Sequence, residues 1–478
     1  MAEQLPCHDL LKDYLTDDGI AVKNPATGKT IATVRDWPID AIDEAVDTIA
    51  DAWADWRGRL AEERGDIMRK WYELMIARRE DLAQLMTAEQ GKVIAESRSE
   101  VDYGAGFAKW FAEEARRVYG DTIPAHDGNA RIVTIRQPVG PVAAITPWNF
   151  PIAMITRKIS PGLAVGCPVI VKPASATPLC ALAIQELAYQ AGIPREVYIT
   201  VTSSSAKDVG ELLCKHERIR KISFTGSTEV GKTLMEWASS TVKKVSLELG
   251  GNAPFIVFDD ADVDAAIEGI KVAKFRNAGQ TCICANRVLV QDGIYDEFMQ
   301  KFDKLMDDLR VAEGTADDAD IGPLIDADAV EKVEKLAKDA EAKGGKLRWF
   351  DIDVSQDGSF VRPGIVENAS ADMDLAQTEI FGPLAPIFRF KTEAEAIELA
   401  NATNVGLAGY FYSRDVGRCW RVAEALEYGM VGINSGAIST PVAPFGGVKE
   451  SGLGREGSKY GIDEYLEVKY LCYGDISG

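Results

Sequence analysis

The feature that most limits the possible folds of this chain is an alternation of short β-type runs with helical segments in its middle part. Helical patterns cover residues 179–191 and 206–214 and separate runs of β-type residues. Strands that alternate with helices form βαβ units, so the pattern predicts a mostly parallel, doubly wound α/β sheet of the Rossmann type. Ligands of such sheets bind at the carboxyl ends of the strands. The β-type runs are residues 140–145, 169–171, 197–201 and 219–224.

Other segments extend this prediction. Residues 38–91 have helical periodicity with a break at Gly58, and a second α/β stretch runs from Pro254 to about Asn434. The runs 131–136 and 464–470 alternate in polarity like edge strands, which fits packing on their own domain or pairing across a subunit interface. The predicted strands of the second stretch are residues 255–258, 287–290 and 386–390.

Length and charge exclude several functions. The chain has 478 residues, enough for two or three domains, and its net charge of −21 argues against nucleic acid and anionic membranes as partners. An anionic substrate would have to be bound by local arginines. No apolar run approaches the roughly 18 to 20 residues of a membrane helix, and residues 1–6 do not resemble a targeting peptide, so we expect a cytosolic protein.

The cysteines do not indicate a metal site. Eight cysteines are scattered along the chain, with no CxxC pair and no Cys/His cluster at metal-ligand spacing. In the cytosol they should be reduced, and most should be small buried side chains. We therefore predict no structural or catalytic metal.

One cysteine has the surroundings of a nucleophile. Cys282 lies in the short Gly-flanked segment 279–284, downstream of the segment 248–251, which begins with Glu248. A thiolate adds readily to a carbonyl carbon, and a nearby carboxylate could act as the base. A Cys/His pair is the alternative, but it needs a histidine that folding brings from elsewhere. The histidines are His8, His126 and His216.

Two further segments follow predicted strands at the expected ligand edge. Asn149, between two prolines in residues 146–151, could donate its amide to a developing oxyanion, or be an ordinary turn residue. Lys172 could bind ribose or phosphate oxygens, or be a solvated surface lysine. Ser175 occupies a position where an acidic residue would repel a 2′-phosphate, so its small hydroxyl favours NADP over NAD.

Residues 226–233 match the P-loop pattern GxxxxGK[ST], and Asp259 follows an apolar strand as a Mg²⁺-binding residue would. This combination suggests a nucleoside triphosphatase as an alternative. However, the segment lies midway along the predicted Rossmann-type unit and has no internal glycines to wrap a triphosphate. A turn at a helix N-terminus that binds one pyrophosphate requires less of this sequence.

Seven motifs occur together and in order: TPWNFP, VKPAS, FTGSTEVG, LELGG, GQTCICANR, EIFGPLAP and PFGGVKESGLGREG. They resemble the aldehyde dehydrogenase superfamily along essentially the whole chain. Within it, the resemblance is greatest to the succinate-semialdehyde dehydrogenases, on residues 154–158, 274–279, 282–284 and 452–461. So specific a resemblance makes the P-loop match a coincidence of pattern.

The resemblance implies catalytic roles for three residues. Cys282 would attack the aldehyde carbon to give a thiohemiacetal, whose oxyanion the Asn149 side chain and the Cys282 backbone N–H would hold. Hydride would pass to the nicotinamide and leave a thioester. Glu248 would activate the water that hydrolyses it.

The resemblance also implies a cofactor site and a domain plan. The cofactor would be NADP, with NAD possible. The expected cofactor-binding residues are Trp148, Lys172, Ser175, Gly226, Ser227, Leu249, Glu379 and Phe381. The implied domains are a cofactor domain of residues 1–121 and 141–250, a catalytic domain of residues 251–440, and a small β element of residues 122–140 and 462–478. That element would join subunits into a homodimer or homotetramer.

Substrate choice is implied by fewer positions. Arg157 and Arg276 match the arginines that bind the substrate carboxylate in succinate-semialdehyde dehydrogenases, and Ser439 matches their hydroxyl partner. Pro441 could reshape the pocket for a longer semialdehyde such as glutarate semialdehyde. Cys284 could form a regulatory disulfide with Cys282, or simply fill the tunnel wall.

Besides Pro441, one segment departs from the pattern of the superfamily. Residues 202–205 replace the usual Gly-Ser turn with Thr-Ser-Ser-Ser. This difference bears on the local backbone and on the NADP preference.

Overall fold

All four β-type runs predicted between residues 140 and 224 are strands in the computed structural model, which describes residues 5–351 and 358–476. The strands are β1 Leu15–Lys23, β2 Thr30–Val34, β3 Thr122–Ile123, β4 Arg131–Pro138, β5 Val142–Ile145, β6 Val169–Lys172, β7 Tyr198–Thr200, β8 Lys221–Thr225, β9 Lys244–Glu248, β10 Ala253–Val257, β11 Ala285–Gln291, β12 Lys346–Trp349, β13 Gly364–Glu367, β14 Leu384–Phe390, β15 Val405–Gly406, β16 Ala408–Tyr412, β17 Met430–Ile433, β18 Val448–Lys449, β19 Gly452–Leu453 and β20 Leu466–Tyr473.

The predicted helical region of residues 38–91 is a series of four helices that break near Gly58. The α-helices are α1 His8–Leu11, α2 Ile39–Asp51, α3 Trp53–Gly58, α4 Ala61–Ala77, α5 Arg79–Gln90, α6 Ile94–Glu114, α7 Ala153–Val165, α8 Pro178–Ala191, α9 Ala206–Lys215, α10 Thr228–Ser239, α11 Val263–Phe275, α12 Tyr295–Asp308, α13 Ala327–Ala342, α14 Asp374–Gln377, α15 Glu393–Asn401 and α16 Val416–Ala425. Short 3₁₀ turns cover Ala115–Arg117, Arg276–Gly279, Asp292–Ile294 and Asp463–Tyr465.

The first large sheet has six strands in the order β19-β9-β8-β5-β6-β7. Strands β5 to β9 run parallel, and β19 pairs antiparallel with the end of β9. The chain proceeds from β5 outward through β6 to β7, then returns to the other side of β5 for β8 and β9. This reversal creates a switch point between β5 and β8, where doubly wound sheets bind their ligands. The prediction of a parallel, doubly wound sheet is therefore confirmed.

The second large sheet has seven strands in the order β12-β13-β14-β11-β10-β16-β17, all parallel except β12. Its inner strands β10, β11, β14 and β16 are almost fully buried, and their side chains belong to one hydrophobic core that extends from Ala253 to Phe445. β10 begins five residues after β9 ends, so residues 249–252 connect the two large sheets.

The third sheet is antiparallel, with the order β20-β4-β3. The two edge-like runs of the sequence pair with each other over eight residues, from Leu466 opposite Pro138 to Tyr473 opposite Arg131. Val468 and Tyr470 on β20 are 67% and 57% exposed. An apolar surface of this kind on a small sheet is typical of a contact with another chain.

Several strands have no counterpart among the runs predicted from the sequence, and two cases change the description of the fold. β1 and β2 form a separate hairpin, and β19 adds residues from outside the predicted cofactor-domain ranges to the first sheet. Across the described part of the chain, no helix combines the length and apolar character that crossing a membrane requires. Within the same residues, no group of three or more His, Cys, Asp or Glu side chains is arranged to bind a metal ion.

Candidate active site

The residues that follow β5 and β8 lie at the switch point of the first sheet. Trp148 and Asn149 follow β5, whereas Gly226 and Ser227 connect β8 to α10. The Ser227 hydroxyl caps α10 by accepting a hydrogen bond from a backbone N–H of its first turn. A Cβ atom on Gly226 would lie 2.3 Å from the ring of Phe224. A tight turn into a helix N-terminus, as found here, is a common binding site for a pyrophosphate.

Several buried polar atoms near the ends of these strands have no hydrogen-bond partner within the described residues. They include the hydroxyls of Thr146 and Thr225, the side-chain oxygen of Asn149 and both carboxylate oxygens of Glu248. Buried polar atoms are nearly always paired in proteins, with other protein groups or with water. The unpaired atoms therefore fit a polar ligand, such as a dinucleotide and its substrate, at this edge of the sheet.

The backbone just before the predicted nucleophile is strained. Asn277, Ala278 and Gly279 have consecutive positive φ values of 53°, 57° and 78°, a conformation that costs free energy for residues other than glycine. Hydrogen bonds hold Asn277 in this conformation: its backbone N–H donates to the Glu96 carboxylate at 2.9 Å, and its side-chain amide donates to the Asn149 carbonyl at 3.0 Å. The strained turn is thus tied to the segment that carries the predicted oxyanion donor.

Cys282 is half-buried and lies three residues before β11. Its carbonyl oxygen would be only 2.3 Å from a Cβ atom on Gly251, so the close approach requires glycine there. Burial raises the pKa of the Cys282 thiol to about 12, although the positive charges of Arg157 and Arg276 oppose that rise. The sulfur is therefore a thiol in this state, and a base or further positive charge is needed to form the thiolate.

Asn149 is buried beside the cysteine segment. Its Nδ2 donates to the carbonyl of Gln280 at 3.0 Å, and its own carbonyl accepts from Lys92 Nζ at 2.7 Å. Lys92 in turn forms a buried ion pair with Glu100. The side-chain amide has a second N–H that can donate elsewhere. The oxyanion role of Asn149 stays a prediction. The Asn149 amide contacts Gln280, which lies two residues before Cys282 in the chain.

Glu248, at the end of β9, is 2% exposed, and no described residue donates a hydrogen bond to its carboxylate. Burial raises the pKa of Glu248 well above its usual range, the nearby Glu456 carboxylate adds to the rise, and Arg157 and Lys158 oppose it. A carboxyl group with a raised pKa is a stronger base once it is ionised. The burial, the unpaired oxygens and the raised pKa of Glu248 therefore suit the predicted activation of water.

Arg157 forms a buried ion pair that the sequence did not reveal. Its Nε lies 2.6 Å from one oxygen of Glu456, and Lys158 Nζ lies 2.6 Å from the other oxygen. The Arg157 guanidinium also lies over the ring of Phe445, at 4.0 Å from its centre. Although burial raises the pKa of Glu456, the two cations outweigh it and hold that pKa below the usual value. The predicted binding of a substrate carboxylate by Arg157 would have to compete with Glu456.

Arg276 has no such partner: no carboxylate of the described chain lies within ion-pair distance of its guanidinium. Its Nη2 lies 3.5 Å from the Ser439 hydroxyl, and its guanidinium is 5.4 Å from the centre of the Phe150 ring. These three side chains line a cavity of 510 Å³, and they share a second, narrow cavity with Cys282. The structure thus brings the predicted nucleophile together with an unpaired cation and a hydroxyl.

The residues predicted to hold the nicotinamide half also come together. Glu379 accepts a hydrogen bond from the backbone N–H of Gly251 at 3.3 Å, and burial raises its pKa to about 7. The ring of Phe381 meets that of Trp148 edge to face, with centres 5.6 Å apart. Leu249 is buried in the core beneath α10. These contacts surround Gly250 and Gly251, which lie in the connection between β9 and the second sheet.

The predicted adenosine-side residues lie at the ends of β6 and β7. Lys172 is buried at the end of β6; burial lowers the pKa of its ammonium group, and the Asp36 carboxylate opposes that shift. The Ser175 hydroxyl donates to the Ser203 carbonyl at 2.9 Å. Asp36 accepts hydrogen bonds from the backbone N–H and the hydroxyl of Ser204. The divergent turn after β7 is therefore fixed by a carboxylate from the loop before α2.

Cys284 is buried with its sulfur toward Lys274, whose Nζ donates to Sγ at 3.6 Å. It forms no disulfide in this structure. The redox pairing with Cys282 stays a prediction.

The P-loop alternative is not supported. Helix α10 begins at Thr228, so only two residues separate it from β8, too few for a loop that wraps a triphosphate. Lys232 points to the surface, where it pairs with Glu450 at 2.9 Å and is 61% exposed. Asp259 pairs with Arg418 at 3.3 Å.

Three residues near the site were missed from the sequence. Glu456 lies inside the motif PFGGVKESGLGREG, between Arg455 and Gly457, and an acid within this glycine-rich motif was a signal that could have been used. Glu96 and Asp36 lie in the N-terminal third of the chain, and their sequence context does not distinguish them from other surface acids. Only the folded chain brings them to Asn277 and to the turn at Ser204.

Both the fold and the grouping of a cysteine, a buried glutamate and an asparagine are those expected for an aldehyde-oxidising enzyme. The chain belongs to the aldehyde dehydrogenase family, whose model matches residues 14–471.

Individual relatives indicate which members of the family this chain is similar to. The chain is 53% identical to the NADP(+)-type succinate-semialdehyde dehydrogenase of Escherichia coli K12, over 97% of this chain and 96% of that protein. It is 54% identical to the glutarate-semialdehyde dehydrogenase of Pseudomonas putida KT2440, over 95% of this chain and 94% of that protein. Among solved structures, the succinate-semialdehyde dehydrogenase of Burkholderia pseudomallei superposes with a TM-score of 0.94 at 52% identity, covering 96% of this chain and 95% of that one.

Proposed function

We propose that this enzyme oxidises succinate semialdehyde to succinate, with NADP as cofactor and NAD also accepted. The observation that carries the substrate class is the narrow cavity shared by Arg276, Ser439 and Cys282. An unpaired guanidinium binds a carboxylate with two parallel hydrogen bonds. The aldehyde end of a short semialdehyde held in this way would lie near the thiol. The relatives named for ω-carboxylate semialdehydes support the same substrate class.

The proposed steps follow from the positions of three side chains. The Cys282 thiolate attacks the aldehyde carbon, and the resulting oxyanion is held by the Asn149 side chain and the Cys282 backbone N–H. A bound nicotinamide supplies the hydride acceptor for this chemistry. Glu248 then takes a proton from the water that hydrolyses the thioester, a role supported by its raised pKa and by its carboxylate oxygens, to which no described residue donates a hydrogen bond.

The cofactor would extend across the carboxyl edge of the first sheet. Lys172 and Ser175 would hold the adenosine ribose or its 2′-phosphate, and the turn at Gly226 and Ser227 would hold the pyrophosphate. The nicotinamide half would contact Trp148, Leu249, Glu379 and Phe381. The name of the Escherichia coli relative supports NADP, and a related betaine aldehyde dehydrogenase solved with NAD+ supports the second cofactor.

Glutarate semialdehyde is the second candidate substrate. It is supported by Pro441, two residues after Ser439, and by the equally similar relative named for that aldehyde. The additional methylene would move the carboxylate by little more than 1 Å, so both aldehydes should be measured.

We also propose the assembly and location of the enzyme. The exposed apolar side chains of β20 support a homodimer or homotetramer joined through the third sheet. The proposed domains have the ranges given by the sequence, with β19 added to the cofactor domain. The proposed location is the cytosol.

The test compares kcat/KM for succinate semialdehyde, glutarate semialdehyde and butanal, a neutral aldehyde of four carbons. The variants are wild type, Arg276→Ala and the control Arg414→Ala, which removes a surface arginine that is 69% exposed and pairs with Asp262. Loss of the arginine should reduce kcat/KM for the anionic substrates by about 100-fold or more. Butanal should change little.

Two results would contradict the proposal in different ways. If Arg276→Ala reduced all three substrates equally, the residue would have a positioning role and the carboxylate contact would be refuted. If wild type preferred butanal, the succinate-semialdehyde assignment would be refuted, although membership of the family would stand.

A further inference from the structure

A fixed carboxylate lies at the adenosine end of the cofactor site. Asp36, in the loop between β2 and α2, accepts a hydrogen bond from Ser204 N at 3.0 Å and a second one from the Ser204 hydroxyl. The same loop is joined to the turn after β7 from both sides, since Trp37 N donates to the Thr202 carbonyl at 2.9 Å and the Thr202 hydroxyl donates to Arg35 O. Asp36 is exposed to solvent, and these hydrogen bonds hold it in one place.

The position of Asp36 relates it to the two predicted ribose-binding residues. The Ser175 hydroxyl donates to the carbonyl of Ser203, the residue next to the one that Asp36 binds. Asp36 is also the charged group that favours the protonated form of buried Lys172. The guanidinium of Arg35 lies over the Trp37 ring, at 4.4 Å from its centre. Asp36 therefore adds a fixed negative charge that acts on Lys172 at this edge.

We propose that Asp36 is a determinant of cofactor choice that opposes the 2′-phosphate of NADP and leaves NAD unaffected. Ser175 permits a 2′-phosphate because it carries no charge, and Lys172 attracts one. Asp36 reduces that attraction, so the enzyme uses the two cofactors more evenly than Lys172 and Ser175 alone would allow. This inference depends on the proposed function only in placing the dinucleotide at this edge of the sheet.

The expected size follows from charge. A 2′-phosphate carries roughly 1.5 to 2 negative charges near neutral pH. A unit charge near the surface changes the binding of another unit charge by up to about fivefold. Removing the Asp36 charge should therefore raise affinity for the phosphorylated ligand by about 5- to 20-fold, and high salt should reduce the difference.

The experiment uses the full chain and the variants Asp36→Asn, Asp36→Lys and Asp40→Asn. Asp40 is a matched control because it is an exposed aspartate in the first turn of α2 whose carboxylate accepts only from the neighbouring Ala41 N within the described chain. Calorimetry measures the Kd of 2′,5′-ADP and of 5′-AMP, which differ in the 2′-phosphate alone. Steady-state assays with butanal give the ratio of kcat/KM for NADP to that for NAD.

For Asp36→Asn we expect tighter binding of 2′,5′-ADP, unchanged binding of 5′-AMP and a higher NADP-to-NAD ratio. Asp36→Lys should exceed these effects, and Asp40→Asn should match wild type. The proposal is overturned if Asp36→Asn changes both ligands equally or neither, or if Asp40→Asn has the same effect. A failure of the proposed substrate would show separately, as a wild type that does not prefer succinate semialdehyde over butanal.

Discussion

Replacing Glu456 with glutamine tests the electrostatics behind the predicted base. The carboxylate of Glu456 is 2.6 Å from both Arg157 and Lys158, and all three side chains are at most 4% exposed. The Glu456→Gln variant keeps the shape of the side chain but leaves two buried cations without their anion. Both cations also act on the buried carboxyl group of Glu248, where they oppose the rise in its pKa.

The magnitude has two parts. Removing one partner of a buried ion pair costs about 3–5 kcal/mol of stability, and the loss of the negative charge of Glu456 lowers the pKa of Glu248. Each unit of that pKa change corresponds to about 1.4 kcal/mol. Because an ionised Glu248 would partly replace Glu456 as counter-ion, the stability loss should be larger at pH 6 than at pH 8. The acid limb of the kcat profile should move down by about one pH unit or more.

The assay combines thermal unfolding at pH 6 and 8 with the pH dependence of kcat. Glu450→Gln is the control, because it removes an acid from the exposed pair with Lys232, and such pairs contribute about 0–1 kcal/mol. We expect Tm of Glu456→Gln to fall by several degrees and that of Glu450→Gln to change little. The reasoning is refuted if the two variants have equal Tm, or if the acid limb stays in place or moves to higher pH.

Two further outcomes follow from single contacts. Glu379→Gln should raise Tm of the cofactor-free protein at pH 8 but not at pH 5. Burial raises the pKa of Glu379 to about 7. As the pH rises from the ordinary carboxyl range to that value, the wild type therefore loses about 1.4 kcal/mol of folding stability per pH unit. An equal change in Tm at both pH values would contradict this. Gly251→Ala should reduce kcat by about 100-fold because its Cβ would lie 2.3 Å from the Cys282 carbonyl oxygen. Near-normal turnover with either aldehyde would contradict that account.

The parallel strands could be predicted from the sequence because they are buried on both faces and therefore read as short apolar runs. The hairpin of β1 and β2 was missed because β1 contains Asp17, Asp18 and Gly19, which have low β propensity. β19 has only two residues, and its pairing with the end of β9 depends entirely on tertiary structure.

The site was predictable where a motif carried the chemistry. Cys282 and Asn149 lie in distinctive segments of the sequence. In the structure the Asn149 amide donates to the Gln280 carbonyl at 3.0 Å, and Gln280 lies two residues before Cys282 in the chain. The relation of Glu456 to Arg157 was not predictable, because it joins residues far apart in the chain. The positive φ values at Asn277 and Ala278 also had no sequence signal, since alanine rarely adopts that conformation.

The two arginines beside Cys282 differ in what they can offer to an anion. Arg157 is neutralised by Glu456, whereas Arg276 faces the cavity without a carboxylate partner in the described chain. Both lower the pKa of the thiol. A substrate carboxylate bound to Arg276 would partly offset its positive charge, so Arg276 would then lower the pKa of the thiol less. Because such coupling is reciprocal, a thiolate that is already formed would weaken carboxylate binding. The fixed charge of Arg157 is not subject to this competition. In the proposed mechanism, a site of this kind would favour forming the thiolate before the substrate enters. Addition to the aldehyde would then move the negative charge from sulfur to oxygen, toward the amide of Asn149.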